Sequence, residues 1–143
     1  MKYIFKLALL FTFSSINGNN VLIISCNYNR PDLIELQYKS LKRFLKESFE
    51  FLILTTAVDK KIKGEIESEC NKHKIPCFYV SQQILKKYHQ PRFSCPSYSE
   101  PVNYFSLRAA SIQYAYETFG LSHDGIVVLL DADIFLISPL TVA

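Results

Sequence analysis

The sequence predicts an α/β fold, with a mostly parallel sheet and helices on both of its faces. Three observations carry that expectation. Short runs rich in branched apolar residues alternate along the chain with amphipathic helical segments. The runs are nearly continuous rather than alternating, as expected of strands buried on both faces. Glycine is scarce, at 4 of 143 residues, which argues against an all-β fold full of tight turns. The length admits one domain. A content of 49% hydrophobic and 20% charged residues is that of an ordinary globular protein, not a disordered tail, a collagen or a disulfide knot.

Residues 1–18 read as a secretory signal peptide or an uncleaved anchor. Lys2 and Lys6 form a basic start, Leu7 to Phe13 is an apolar run broken by Thr12, and Ser14, Ser15 and Gly18 follow. The run is shorter than the roughly 20 apolar residues that span a bilayer. The folded part is therefore expected from Val21 onward, in a protein exported or routed to the secretory pathway, with its N-terminus as the point of any membrane association. The alternative is a cytoplasmic protein with a short N-terminal extension.

Val21 to Cys26 reads as the first strand, and Asn27 to Asn29 as a polar loop. Pro31 suits a first helical position. Asp32 and Glu35 stand early in that helix and Lys39, Lys42, Arg43 and Lys46 late, matching the macrodipole. Ile34, Tyr38, Leu41 and Leu45 form its apolar stripe. Phe49 to Thr55 is a second strand. Lys60 to His73 is a second helix, with Ile62, Ile66, Cys70 and His73 on one face. Pro76 to Val80 is a third strand and Ser81 to Tyr88 a short helix. Gln90 to Pro101 is a proline- and serine-bearing loop. Tyr104 to Phe119 is a helix with Phe105, Ala109, Ile112, Tyr116 and Phe119 on its buried side, stopped by Gly120. Gly125 to Leu130 is a fourth strand that runs into Asp131-Ala132-Asp133. Ile134 to Ile137 is a further apolar run, ended by Ser138-Pro139-Leu140.

Cys26 reads as a small buried hydrophobe. Cys70, Cys77 and Cys95 flank loops, so one pair could be bridged in an exported chain. Without a CxxC, and with His73, His89 and His123 scattered, a structural zinc site is not expected. A net charge of +3 is too mild to argue for nucleic acid. The charge is unevenly placed, however. Residues 1–97 carry 15 basic and 8 acidic side chains, whereas after residue 97 Arg108 stands against Glu100, Glu117, Asp124, Asp131 and Asp133. A basic front and an acidic back suit a site that meets phosphate and a cation together. The plainer alternative is that surface lysines fell where helices needed them.

Ligands of open α/β sheets bind at the carboxyl ends of the strands. Two loops therefore matter most, Ser25 to Arg30 and Asp131 to Asp133. Two carboxylates directly after a buried strand are costly unless paired or metal-bound. Side chains two apart on a strand share a face, so Asp131 and Asp133 are expected to converge on one ion. Carboxylates are hard ligands suited to Mg2+ or Mn2+, which also takes waters or substrate phosphate oxygens. The alternative has one Asp capping the next turn and the other solvated.

The stretch from Ile126 to Leu140 resembles the DxD segment of GT-A-type glycosyltransferases, the nucleotide-diphospho-sugar transferases. Val21 to Leu33 resembles their first strand and nucleotide-binding loop. The resemblance covers about residues 21 to 140, with the motifs in family order about 100 residues apart. It implies a Rossmann-like fold and makes residues 21–143 the nucleotide-sugar-binding part. It implies a UDP- or GDP-linked donor, with Asn27 and Asn29 at the nucleoside; Ser25, at the start of the same loop, is a further candidate donor contact. It places Arg108, on the helix before the DxD strand, at the phosphates or donor sugar. Asp133 becomes the direct ligand of Mn2+ or Mg2+, and Asp131 sits at the ribose or the metal. Family members continue past the DxD with the acceptor site, a further metal ligand and, in inverting members, the catalytic base. This chain stops ten residues after Asp133. The expectation is a glycosyltransferase-like protein that binds its donor and turns it over poorly, with acceptor and catalytic residues unassigned. Two rivals are a non-catalytic exported α/β module and a haloacid-dehalogenase-type phosphatase with Asp131 as nucleophile.

Overall fold

A computed structural model describes residues 20–88 and 104–142, with side chains described from Arg108 onward in the second stretch. The signal-peptide or anchor segment, the Gln90 to Pro101 loop, Cys95, His89 and the side chain of Phe105 lie outside the described residues. The elements are β1 (Val21–Asn27), α1 (Pro31–Phe44), β2 (Phe49–Thr55), α2 (Lys60–His73), β3 (Cys77–Tyr79), α3 (Gln82–Tyr88), α4 (Tyr104–Ala115), a π-helical turn (Tyr116–Gly120) and β4 (Ile126–Asp131). The strands form one sheet in the order β3-β2-β1-β4, and every pairing is parallel. The arrangement is α/β and compatible with a Rossmann-like fold.

The alternation of β1 explains why its sequence is apolar throughout. Val21 and Ile23 enter one core with Ile34 and Leu41 of α1 and Ile66 and Cys70 of α2. Leu22 and Ile24 enter the other with Leu85 of α3 and Ala110 and Ala115 of α4. Successive side chains of a strand point to opposite faces, and here both faces carry helices. Ile23, Ile24, Ile53 and Leu54 are each at most 1% exposed. Burial of side chains of this size contributes about 1.5–3 kcal/mol apiece.

Several boundaries and faces differ from the sequence reading. β3 is shorter than Pro76–Val80, yet both ends still bond to β2. The Pro76 carbonyl accepts from the Ile53 N–H at 2.9 Å, and the Val80 N–H donates to the Thr55 carbonyl at 2.9 Å. The Ile134 to Ile137 run, given no element type by the sequence reading, is neither helix nor strand. Leu136 packs on the α1–α2 core, Ile137 is 88% exposed, and Leu140 makes an isolated bridge to Leu45. Among the described residues of α4 those buried are Ala110, Ser111 and Ala115, whereas Ala109, and Tyr116 just after it, are exposed. Small side chains let this helix lie close on the sheet; of the expected stripe, Phe119 packs against the same core and Phe78, while Ala109 and Tyr116 turn outward. Gly120 ends the π turn without a positive φ. A Cβ there would meet the Tyr116 ring at 2.7 Å and Val127 at 3.3 Å, so close packing explains the glycine. α1 ends at Phe44, before Lys46, and its buried side is Ile34, Gln37, Ser40 and Leu41. Tyr38 and Leu45 only pack against that core's edge.

The chain winds from β1 to β2 to β3 in one direction and then places β4 on the opposite side of β1. The connection leaving β1 and the connection entering β4 lie on opposite faces, α1 covering one and α4 the other. A crevice opens at the carboxyl ends of β1 and β4, the topological switch point where open α/β sheets bind ligands.

Candidate functional site

A cleft of about 180 Å³ occupies that switch point. Residues 26–30 line it from the end of β1, Arg108 and Ser111 from α4, and residues 131–133 from the end of β4. Both loops singled out in the sequence thus meet at one place, together with Arg108. Ser25 does not line it. It is fully buried two residues inside the end of β1, on the face shared with Ile23, and its hydroxyl has no hydrogen-bond partner. The sequence reading counted Ser25 with the loop that follows the strand, whereas it lies within β1, which runs to Asn27.

Asn27 reaches the cleft but is only 2% exposed. Its Nδ2 donates to the Arg30 carbonyl at 2.8 Å, and its Oδ1 accepts from the Arg30 N–H at 3.0 Å. Its amide therefore closes the loop that leads into α1. Tyr28, Asn29 and Arg30 are exposed in that loop. Arg30 pairs with Asp32 at 2.7 Å. That hydrogen bond holds the Asp32 carboxyl below its usual range. The same bond, then the Asp32 charge, lifts the Arg30 guanidinium above its ordinary value, with a smaller part from Asp133.

Asp131 is the last residue of β4, paired with Cys26 in the sheet, and Ala132 and Asp133 form a turn. Strand alternation therefore does not align the two carboxylates, as the sequence reading assumed. The turn brings both to the cleft instead. Asp133 is exposed. Asp131 is held by Arg108, whose Nε donates to Oδ1 at 2.8 Å while its Nη2 pairs with Oδ2. This is a fork-to-fork pair between α4 and the end of β4. Two carboxylates on one cleft offer an all-oxygen donor set, which fits Mg2+ or Mn2+ completed by phosphate oxygens or waters. For Asp131 the fit requires that Arg108 yield.

Two contributors escaped the sequence reading. Gln37 is 1% exposed, and its Nε2 donates to the carbonyls of Asp131 at 2.8 Å and Ile134 at 2.9 Å. The Ser40 hydroxyl donates to the Gln37 carbonyl at 2.8 Å and accepts from the Leu136 N–H at 3.4 Å. These two side chains fasten the turn after β4 to α1. The available signal was a pair of polar residues three and six positions after Ile34, on the helix side that should be apolar. Cys26 also lines the cleft. Burial pushes its thiol up to about 12, with the Asp131 charge adding to the rise and Arg108 opposing it. At neutral pH it is a protonated wall of the cleft and not a nucleophile.

A second polar cluster lies between α1 and α2, away from the cleft. One ligand atom each of Glu35, Glu69 and His73 falls within 4.8 Å of the others. Lys39 pairs with Glu35 at 2.7 Å, and Lys72 with Glu35 and Glu69 at 3.3 Å each. The lysines already balance both carboxylates, so the cluster is an interhelical ion network. Cys70 and Cys77 meet as thiols at the end of α2 and on β3. The hydrogen bond to Cys77 and burial hold Cys70 protonated, and the same bond lowers Cys77. Among the described residues no helix is long and apolar enough to cross a membrane. No protein-family model matches the chain, and no curated protein matches it either.

Proposed function

We propose that the cleft binds the diphosphate of a UDP- or GDP-linked sugar together with Mn2+ or Mg2+, and that the protein is glycosyltransferase-like. The observation that supports this most is the meeting of Asp131, Asp133 and Arg108 with the β1 loop at the switch-point crevice. Asp131, Asp133 and the Arg30-paired Asp32 stand against Arg108 and Arg30, a net charge of about −1 at the cleft, which repels a free diphosphate and attracts a divalent cation. With the cation in place the sign reverses, and the diphosphate meets a positive site. In this reading Asp133 is the direct metal ligand, Asp131 joins it at the metal or ribose, and Arg108 takes phosphate oxygens. Tyr28 and Asn29 face the nucleoside, and Asn27 shapes their loop.

Calorimetric titration of UDP and GDP, with and without Mn2+, tests the proposal, followed by assays of donor hydrolysis and sugar transfer. Nucleotide binding that requires the metal is the expected result. Absence of metal-dependent binding would refute it in favour of a non-catalytic module.

A further inference from the structure

The pairing of Arg108 with Asp131 places the anion-binding group on a metal-binding group. A carboxylate whose two oxygens both accept from one guanidinium has its best lone pairs engaged. Both oxygens of Asp131 are engaged this way, one at 2.8 Å from Nε and the other by Nη2. The pair is not locked in the interior, since the two side chains are 42% and 30% exposed. An ion pair at such exposure is readily exchanged. Asp133, exposed and two residues on, does not share this guanidinium pair.

We propose that Arg108 and a divalent cation compete for the Asp131 carboxylate, so that the cleft takes metal well only when an anionic ligand draws Arg108 away. This rests on the donor-site reading above and assigns that site a latch. Without nucleotide, the guanidinium is the counter-ion of Asp131 and a metal finds Asp133 alone. When a diphosphate enters, its oxygens offer Arg108 the same fork geometry as the carboxylate. The guanidinium moves to them and Asp131 turns to the cation. No covalent bond changes. Metal and nucleotide then assist each other's binding, and by linkage each raises the other's affinity by the same factor.

The test measures Mn2+ affinity by electron paramagnetic resonance on the full chain, first with no nucleotide. Arg108→Met keeps the aliphatic stem and removes the fork, at an exposed position where circular dichroism can verify the fold. The latch predicts that Arg108→Met binds Mn2+ alone about 10-fold more tightly than the wild type, a coupling of ordinary size. The gain should vanish in an Asp131→Asn background, where a general loss of positive charge would persist. Added UDP or GDP should tighten Mn2+ far more in the wild type than in Arg108→Met. Equal Mn2+ affinity of wild type and Arg108→Met, or an equal gain in both backgrounds, would overturn the latch. Metal-dependent nucleotide binding in that same experiment would leave the donor-site reading standing. Failure of every protein to bind either Mn2+ or nucleotide would overturn both.

Discussion

Gln37 offers the sharpest check on how the cleft is held together. Replacement by Met keeps the volume and flexibility of the side chain and removes both donated hydrogen bonds. The bonds lost run to the carbonyls of Asp131 at 2.8 Å and Ile134 at 2.9 Å. Each such bond has a net value of about 0.5–1.5 kcal/mol, and a carbonyl left dry costs more. Both carbonyls are part-buried beside a cleft, so water reaches them in the variant and moderates the loss. The expected destabilisation is about 2 kcal/mol. With a urea slope near 2 kcal/mol/M, that moves the unfolding midpoint down by about 1 M. Gln37→Glu sharpens the test. A buried carboxyl in contact with carbonyl oxygens has its folded pKa raised above the unfolded value of about 4.3. Stability is then present below that pH, where the protonated acid still donates one bond, and is lost as pH rises through the folded pKa. Urea unfolding of wild type, Gln37→Met and Gln37→Glu across pH 4 to 8 measures both effects. A Gln37→Met variant within about 0.5 kcal/mol of wild type, or a Gln37→Glu variant without pH dependence, would refute the clamp.

The remaining predictions concern the cleft and its supports. The folded pKa of Cys26 is raised from 9.0 to about 12, so its stabilising effect is complete below pH 9 and is lost as pH rises from there. The expected slope reaches about 1.4 kcal/mol per pH unit, and Cys26→Ala should flatten that part of the alkaline stability profile. Asp133→Asn should lower Mn2+ affinity about 10-fold in the presence of nucleotide, by loss of one ligand charge. Gly125→Ala would set a methyl group against the Asn20 carbonyl, which accepts from the Ile126 N–H at 3.1 Å at the start of β4. Backbone must shift there, and thermal melts should show a loss of about 2–3 kcal/mol.

The elements themselves were legible because they depend on neighbours in sequence. β1 and β2 are apolar at consecutive positions because helices cover both faces, and that burial is written directly into Val21 to Ile24 and Phe51 to Leu54. Pro31 and the order of charges marked α1 for local reasons. Asp131 and Asp133 could be named as candidates because carboxylates directly follow an apolar strand, and Arg108 through the family resemblance, as the basic residue on the helix before that strand. What those residues do to one another was not legible. Arg108 and Asp131 lie 23 positions apart, and Gln37 reaches Asp131 across 94. Such meetings depend on β4 pairing with β1 rather than β3, and on α1 and α4 taking opposite faces. The same holds for α4, where Ala110, Ser111 and Ala115 face the sheet although the aromatic residues drew the stronger periodic pattern. Period and composition report that a face is buried, but close approach of a helix selects small side chains over large ones. Ser25 shows the same limit at a single residue. Sequence placed it at the mouth of the site, and two more residue pairs of parallel sheet, up to Asn27 beside Thr55, enclosed it. Local chemistry therefore determined which segments are strands and helices and which residues carry charge at their ends. Only the packing of distant segments decided which of those charges meet, because hydrogen bonds and ion pairs form between whatever groups the tertiary fold brings within about 3 Å.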